Sequence, residues 1–373
     1  MRKPVGFLLI VALSAMVVMA LVYFSRAAPA GSPVSSVLNQ EKAAGTTVVD
    51  EMGRKVIFPV SPKRIVVLTS YPAEVICALN AGNRIVGICN PQHEDLPGLR
   101  NKPSVGNSNV TPDLEKILEL KPDLVIAYQW TKKEAINELE KCNIPVLCFR
   151  GWTFEELHYF AEQMGKLLGQ QARAQELWQF IQTKMDFIEA RTKQLPREQQ
   201  PKVFYESFIP YQSSSVGAKP LETPWGTYHA ENSEEAKLAL AGGINCVGQQ
   251  PTRSAIFSAE WVVQKNPDII IKVPRTTPSL AIPSLEEMRE IRAEILQREG
   301  LKEVAAVKAG RVYIIHCNMC AGPRQIIGLC YYVRWLHPEL FADLDPKAVH
   351  REMLERFWGL KLQGTWGYPE VSN

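Results

Sequence analysis

The chain has 373 residues, 46% apolar and 22% charged, with 42 Lys and Arg against 39 Asp and Glu. That composition excludes disordered, collagen-like and multi-span membrane proteins, and the length suits about two domains. The charge of +3 comes from Arg2, Lys3 and Arg26, and the chain beyond residue 30 carries 39 basic and 39 acidic residues. A neutral body excludes nucleic acid as the main partner, because phosphate binding needs a basic excess.

The N-terminus reads as an address. Arg2 and Lys3 precede Val5 to Phe24, a run of 20 residues without a charge. Ala28-Pro29-Ala30 then offers a small-x-small site for cleavage after Ala30, so residues 1–30 read as an export signal. The run is also long enough to cross a bilayer as one helix, so an uncleaved anchor over residues 5–24 is the alternative. Both leave the basic end in the cytoplasm and export the body, to the periplasm or the outer face of the cytoplasmic membrane. No Cys lies in or just after the run to carry a lipid. Residues 31–46, rich in Ser, Ala and Gly, read as a linker.

Strands and helices then alternate. Strands are expected at 64–68, 84–88, 121–126 and 145–148, with helices at 72–81, from Thr111 onward, and at 132–142. Thr111 is the expected cap of the second helix, with Pro112 at its first position. Helices at 153–169 and 171–195 follow, the latter unusually long and ending before Pro196 and Pro201. The pattern restarts with strands at 202–205, 268–272 and 311–315 and helices at 231–242, 259–265 and 284–300. A last long helix opens at Gly322-Pro323-Arg324. This order implies α/β architecture: two Rossmann-like lobes with parallel sheets, joined by a single long helix. The expected segments are a first lobe at 47–170, a bridging helix at 171–200, a second lobe at 201–345 and a C-terminal extension at 346–373. Lys121-Pro-Asp-Leu-Val-Ile126 and Asn266-Pro-Asp-Ile-Ile-Ile271 echo each other across the lobes.

Enzyme signatures are missing. There is no phosphate loop, G-x-G-x-x-G, G-x-S-x-G or H-E-x-x-H pattern, and no two of the six His are three to five residues apart. Eight Cys in an exported chain permit disulfides without requiring them. Only Cys317 and Cys320 have a suggestive spacing, open between thiols, a disulfide and soft metal ligands. No catalytic residue, resident metal or cofactor is expected.

Val48-Val-Asp50, Gly53, Pro62-Lys-Arg-Ile-Val-Val67, Glu74, Arg84-Ile-Val-Gly87, Leu120-Lys-Pro-Asp-Leu-Val-Ile126 and Ile144-Pro-Val146 are specific in combination. Ala241-Gly-Gly-Ile-Asn245, Ser258-Ala-Glu260, Asn266-Pro-Asp268 and Gly310-Arg-Val-Tyr313 extend the pattern. Over residues 47–345 the chain resembles the substrate-binding proteins of ABC importers for iron–siderophores, haem and cobalamin, the third class of periplasmic binding proteins. The resemblance implies a non-enzymatic, monomeric protein that holds a chelated metal between two lobes bridged by one rigid helix. Such a protein delivers its ligand to an ABC permease.

In open parallel sheets, ligands bind beyond the carboxyl ends of the strands. Those positions hold Ser70 and Tyr71, Asn90 to Gln92, Tyr128 to Trp130, Arg150 to Trp152, Glu206 to Phe208 and Cys317 to Arg324. Tyr71, Tyr128, Trp130 and Trp152, with Trp225 from an insertion over 213–232, are the candidate aromatic contacts. Arg150, Arg253 and Arg324 are candidates to pair with ligand carboxylates or catecholates. Of these Arg324 stands out, because Gly322-Pro323-Arg324 is similar to a family loop facing the cleft. Glu134 and Glu260 match the exposed acids with which related binders dock onto permease Arg residues. A permease of two like subunits needs a like acid on each lobe. Two other readings stay open on the sequence: a metal-dependent enzyme of nitrogenase- or chelatase-like build using His316, Cys317 and Cys320, and an anchored sensor or scaffold ectodomain. Export counts against the enzyme.

Overall fold

The structure, a computed structural model, describes residues 45–89, 96–206, 226–228, 233–248, 254–274 and 282–370. The expected export signal, most of the linker, Asn90 to Gln92, Phe208, Trp225 and Arg253 lie outside the described residues.

The body opens with a two-stranded hairpin, β1 (Thr46–Val49) and β2 (Lys55–Phe58), which the sequence reading did not include. Its turn is pinned to the first lobe. Asp50 accepts the backbone N–H groups of Met52, Arg54 and Cys148 at 2.9–3.0 Å.

The first lobe runs β3 (Ile65–Val67), α1 (Ser70–Ala78), β4 (Ile85–Ile88), α2 (Pro97–Arg100), α3 (Leu114–Glu119), β5 (Leu124–Ala127), α4 (Lys133–Lys141), β6 (Val146–Cys148) and α5 (Phe154–Leu168). Its four strands are parallel in the order β4-β3-β5-β6. β3, β5 and β6 are buried at every residue, as strands covered on both faces must be. The cap of α3 is Asp113, whose side chain accepts the Lys116 N–H, two residues beyond the expected Thr111. α5 has a reciprocal capping box of Thr153 and Glu156 and stops at Gly169, in the left-handed region at φ +72°.

α6 (Gln171–Thr192) is the bridge, 22 residues long and so about 33 Å at 1.5 Å per residue. The second lobe follows with β7 (Lys202–Glu206), β8 (Gly226–Tyr228), α7 (Ser233–Leu240), β9 (Ile244–Asn245), β10 (Ser254–Ile256), α8 (Ala259–Lys265), β11 (Ile269–Lys272), α9 (Leu285–Gln297), α10 (Ala305–Lys308), β12 (Val312–Ile315) and α11 (Gln325–Leu336). Every residue of α11 is buried, which makes it the central helix of this lobe.

The Pro-Asp echo has a physical reason. Asp123, just before β5, accepts the Lys63 and Arg64 N–H groups at 2.8 Å, and Asp268, before β11, accepts the Lys202 N–H at 2.7 Å. Each carboxylate fastens the start of the neighbouring strand. The turns ahead of them place Lys121 and Asn266 at φ 45° and 44°.

The C-terminal extension is more than a tail. α12 (Pro346–Trp358) leaves the second lobe and packs on α1 of the first. The Trp358 indole N–H donates to the Glu74 carbonyl at 3.2 Å, and Arg356 pairs with Glu176 of the bridge at 2.8 Å. The chain then returns as β13 (Gly367–Tyr368), antiparallel to β12, and completes a sheet of order β13-β12-β11-β7-β9. The other pairings in that sheet are parallel. β8 and β10 form a separate antiparallel pair.

Candidate functional site

In the first sheet the chain runs from β3 to β4 on one side and then to β5 on the other. The loops after β3 and β5 therefore diverge and leave a crevice at the strands' carboxyl ends. Tyr71 follows β3, and Tyr128 follows β5 directly. The sequence-expected aromatics converge here. The Tyr128, Trp130 and Trp152 rings meet with centroids 5.1–5.9 Å apart, two of the pairs edge to face. Tyr128 is buried, while Trp130 keeps 36% of its surface exposed. Burial pushes the Tyr71 phenol well above its usual range, helped by Cys317, Cys320, Glu74 and Tyr128 around it. Loop geometry holds the set in place: the Thr131 hydroxyl accepts the Tyr128 N–H at 3.1 Å, and Glu156 accepts the Trp152 N–H at 2.9 Å.

The opposite wall comes from the second lobe. The Tyr205 hydroxyl donates to Cys320 Sγ at 3.3 Å, and Lys237 bonds to the Cys320 carbonyl and to Glu234. The Tyr332 hydroxyl donates to Glu234 at 3.0 Å. Two contacts cross between the lobes nearby. The Gly322 N–H donates to the Gly151 carbonyl at 3.0 Å, and the Gln325 side chain to the Thr153 carbonyl at 3.4 Å. Gly322 sits at φ +67° with its backbone against the Tyr71 ring; an added Cβ would lie 3.0 Å from a ring carbon.

Three charged candidates already have protein partners. Arg324, expected to meet ligand carboxylates, is 1% exposed and grips the fully buried Glu74 of the first lobe through two bonds of 2.8 and 3.1 Å. It also lies 5.2 Å over the Trp366 ring of the extension. Removing one partner from such a pair costs about 3–5 kcal/mol, because the other charge stays buried. Glu206, expected at the cleft, is buried within the second lobe between Lys272 and Arg298 at 2.5 and 2.7 Å. Arg150 is held by Glu51 and Glu156, and it contacts Gln129 at 3.5 Å. Burial and the Glu156 charge push the Glu51 carboxyl up to about 7, against the opposing pull of Arg150.

Glu134 and Glu260 are both exposed, each in the first turn of its helix. They do not share a place in the repeat. α8, with Glu260, precedes the Pro-Asp strand β11, whereas α4, with Glu134, follows the Pro-Asp strand β5. The counterpart of α8 is α3, whose first-turn acid is the exposed Glu115. Glu115, Tyr205, Lys237 and Glu51 were not among the candidates read from the sequence. The Pro-Asp echo was the signal for Glu115, and the others lie in stretches that read as core strand or ordinary surface. Among the described residues, no group of three or more His, Cys, Asp and Glu is arranged to hold a metal ion.

Comparison with known proteins bears on the fold and the family. The model of the family described as "Periplasmic binding protein" matches residues 65–318. An uncharacterized ABC transporter substrate-binding lipoprotein of Bacillus subtilis, YvrC, is 26% identical over 84% of this chain and 93% of its own length. The molybdate-binding protein MolA of Haemophilus influenzae is 24% identical over 87% of this chain and 93% of its own. The solved structure of MolA bound to molybdate superposes with a TM-score of 0.69 at 19% identity, covering 85% of this chain and 99% of that one. The periplasmic haem-binding protein RhuT of Roseiflexus superposes at 0.59 and 18% identity, covering 74% and 99%. Such proteins are substrate-binding components of ABC transporters, not enzymes. Two parallel α/β lobes, one bridging helix, a crevice at the strand ends and a family match over most of the body give one conclusion: the chain belongs to the periplasmic binding protein family.

Proposed function

We propose that this protein works outside the cytoplasm as the binding component of an ABC importer, and that its ligand is a chelated metal: a ferric siderophore, haem or a corrinoid. The observation that carries the ligand class is the Tyr128–Trp130–Trp152 set at the crevice of the first sheet, with Tyr71 beside it. Such rings offer a wide, rigid apolar surface to a flat or bulky ligand. The cations around them already have carboxylate partners: Arg324 with Glu74, Arg150 with Glu51 and Glu156, and Lys237 with Glu234. That pairing favours a ligand bound by its faces over a bare oxyanion. Among the described residues no helix is long and apolar enough to cross a membrane. Export is assigned to the N-terminal segment, read as a cleaved signal or an anchor. Docking uses an exposed acid on each lobe, Glu260 on the second and Glu134 or Glu115 on the first.

The test is a thermal-shift panel of ferric siderophores, haem, corrinoids and molybdate. A ligand at about a hundred times its Kd stabilises the native state by roughly 2.7 kcal/mol and raises the melting temperature. One chelate class is expected to do so, with affinity falling about tenfold in Trp130→Ala, the loss of one ring contact. Stabilisation by molybdate alone would overturn the ligand class and leave the binding role standing.

A further inference from the structure

Cys317 and Cys320 stand where the second lobe meets the cleft. They follow β12 in a 3-10 turn closed by the Cys320 N–H donating to the Cys317 carbonyl at 2.9 Å. A turn bonded in this way brings its first and fourth Cα atoms within roughly 7 Å. A disulfide spans roughly 4.4–6.8 Å between Cα atoms. Both residues are half-buried, and both are thiols in the structure. Tyr71 lies close enough to feel the charge of each, and Tyr205 bonds to Cys320. Two residues on, Gly322 makes the backbone bond to Gly151 across the lobes and packs on the Tyr71 ring.

The neighbouring His316 does not extend the pair into a metal site. Its ring is fully buried, accepts the Asn318 N–H at 3.3 Å and meets the Trp366 ring edge to face at 4.9 Å, on the side of the extension. What remains in the turn is two thiols in a chain whose first 30 residues read as an export signal, and exported compartments favour oxidation.

We infer that Cys317 and Cys320 form a reversible dithiol–disulfide pair in the wall of the cleft, and that its redox state sets the position of the Gly322 loop against Tyr71 and Gly151. The oxidant is an external disulfide. Cys317 loses its proton and attacks one sulfur of that disulfide; a mixed disulfide forms, and the first thiol leaves with a proton. Cys320 then loses its proton and attacks Cys317 Sγ, which expels the second thiol. Two protein thiols are oxidised, one external disulfide is reduced, and the atoms balance. The order follows from the environment of Cys320. Burial and the Glu234 charge push its thiol up to about 12, which disfavours Cys320 as the attacking thiolate. Oxidation also replaces the thiol sulfur that accepts the Tyr205 hydroxyl with a disulfide sulfur.

The experiment uses the full chain in mixtures of reduced and oxidised glutathione, quenched by alkylation in denaturant. Trypsin releases Val312 to Arg324, which carries both residues. The expected result is a peptide lighter by two hydrogens at the oxidising end, returned to the doubly alkylated form by dithiothreitol, with a parallel change in intrinsic fluorescence. Cys317→Ser and Cys320→Ser should each abolish both signals while keeping the wild-type circular dichroism spectrum. Full alkylation of both residues in oxidised glutathione would overturn the inference. So would a stoichiometric metal in the purified protein that is lost in Cys317→Ser, or an unchanged fluorescence change in the Cys317→Ser/Cys320→Ser protein.

Discussion

Glu51 is the carboxyl of this region whose protonation is most open to test. Its carboxylate accepts the Arg150 backbone N–H at 3.0 Å and the Arg150 Nε–H at 3.1 Å, one residue before Gly151 receives Gly322. Because its carboxyl is pushed up to about 7, the native state holds a proton that the unfolded chain releases at the ordinary value of 4.5. Between those values the folded state binds more protons, so this group's contribution to stability falls as pH rises through the window. Urea unfolding of wild type and Glu51→Gln at about pH 5 and about pH 8 measures this. The variant should lose part of the pH dependence, and equal dependence in both proteins would rule Glu51 out. At this scale the sequence was a partial guide. That Tyr128, Trp130 and Trp152 come together was legible, because each lies within four residues of the end of an apolar strand. Arg324 and Glu206 were legible in place but not in partner. A salt bridge between residues 74 and 324 depends on how two lobes meet, which no local pattern encodes.

The regular elements were the most legible part, for a physical reason. Strands such as β3 and β5 are continuous apolar runs, and α5 carries a Thr cap and a Gly stop, so both announce themselves locally. The hairpin of β1 and β2 did not, since Thr46–Val49 and Lys55–Phe58 are short and mostly exposed. The two-residue β13 is legible only through the β12 edge it completes. Element order also bears on the proposed docking, because it makes Glu115 rather than Glu134 the counterpart of Glu260. If the permease reads the repeat, Glu115→Lys with Glu260→Lys should abolish uptake in reconstituted vesicles, while Glu134→Lys with Glu260→Lys retains what Glu260→Lys alone retains. Ligand affinity should stay unchanged in all of these variants, because the acids are exposed on helices outside the crevice. Loss of uptake specific to Glu134→Lys would restore that residue to the docking pair.

Across the whole molecule, the two-lobed architecture was readable because the Pro-Asp strand starts and the long α6 repeat and separate like units. The part played by the extension was not, because α12 takes its meaning from surfaces on both lobes. Phe357 lies under the Arg173 guanidinium at 4.6 Å and beside Phe180 of the bridge, while Trp366 sits against His316 and Arg324. Chain therefore passes between the lobes at α6 and again through α12, and the polypeptide closes a loop on itself. A body fixed to another at one point can swing in any direction, whereas fixing at two leaves a single axis through both. Opening of the cleft is thus expected to turn about one axis, like a door on two hinges, and deleting α12 is expected to leave the door on one.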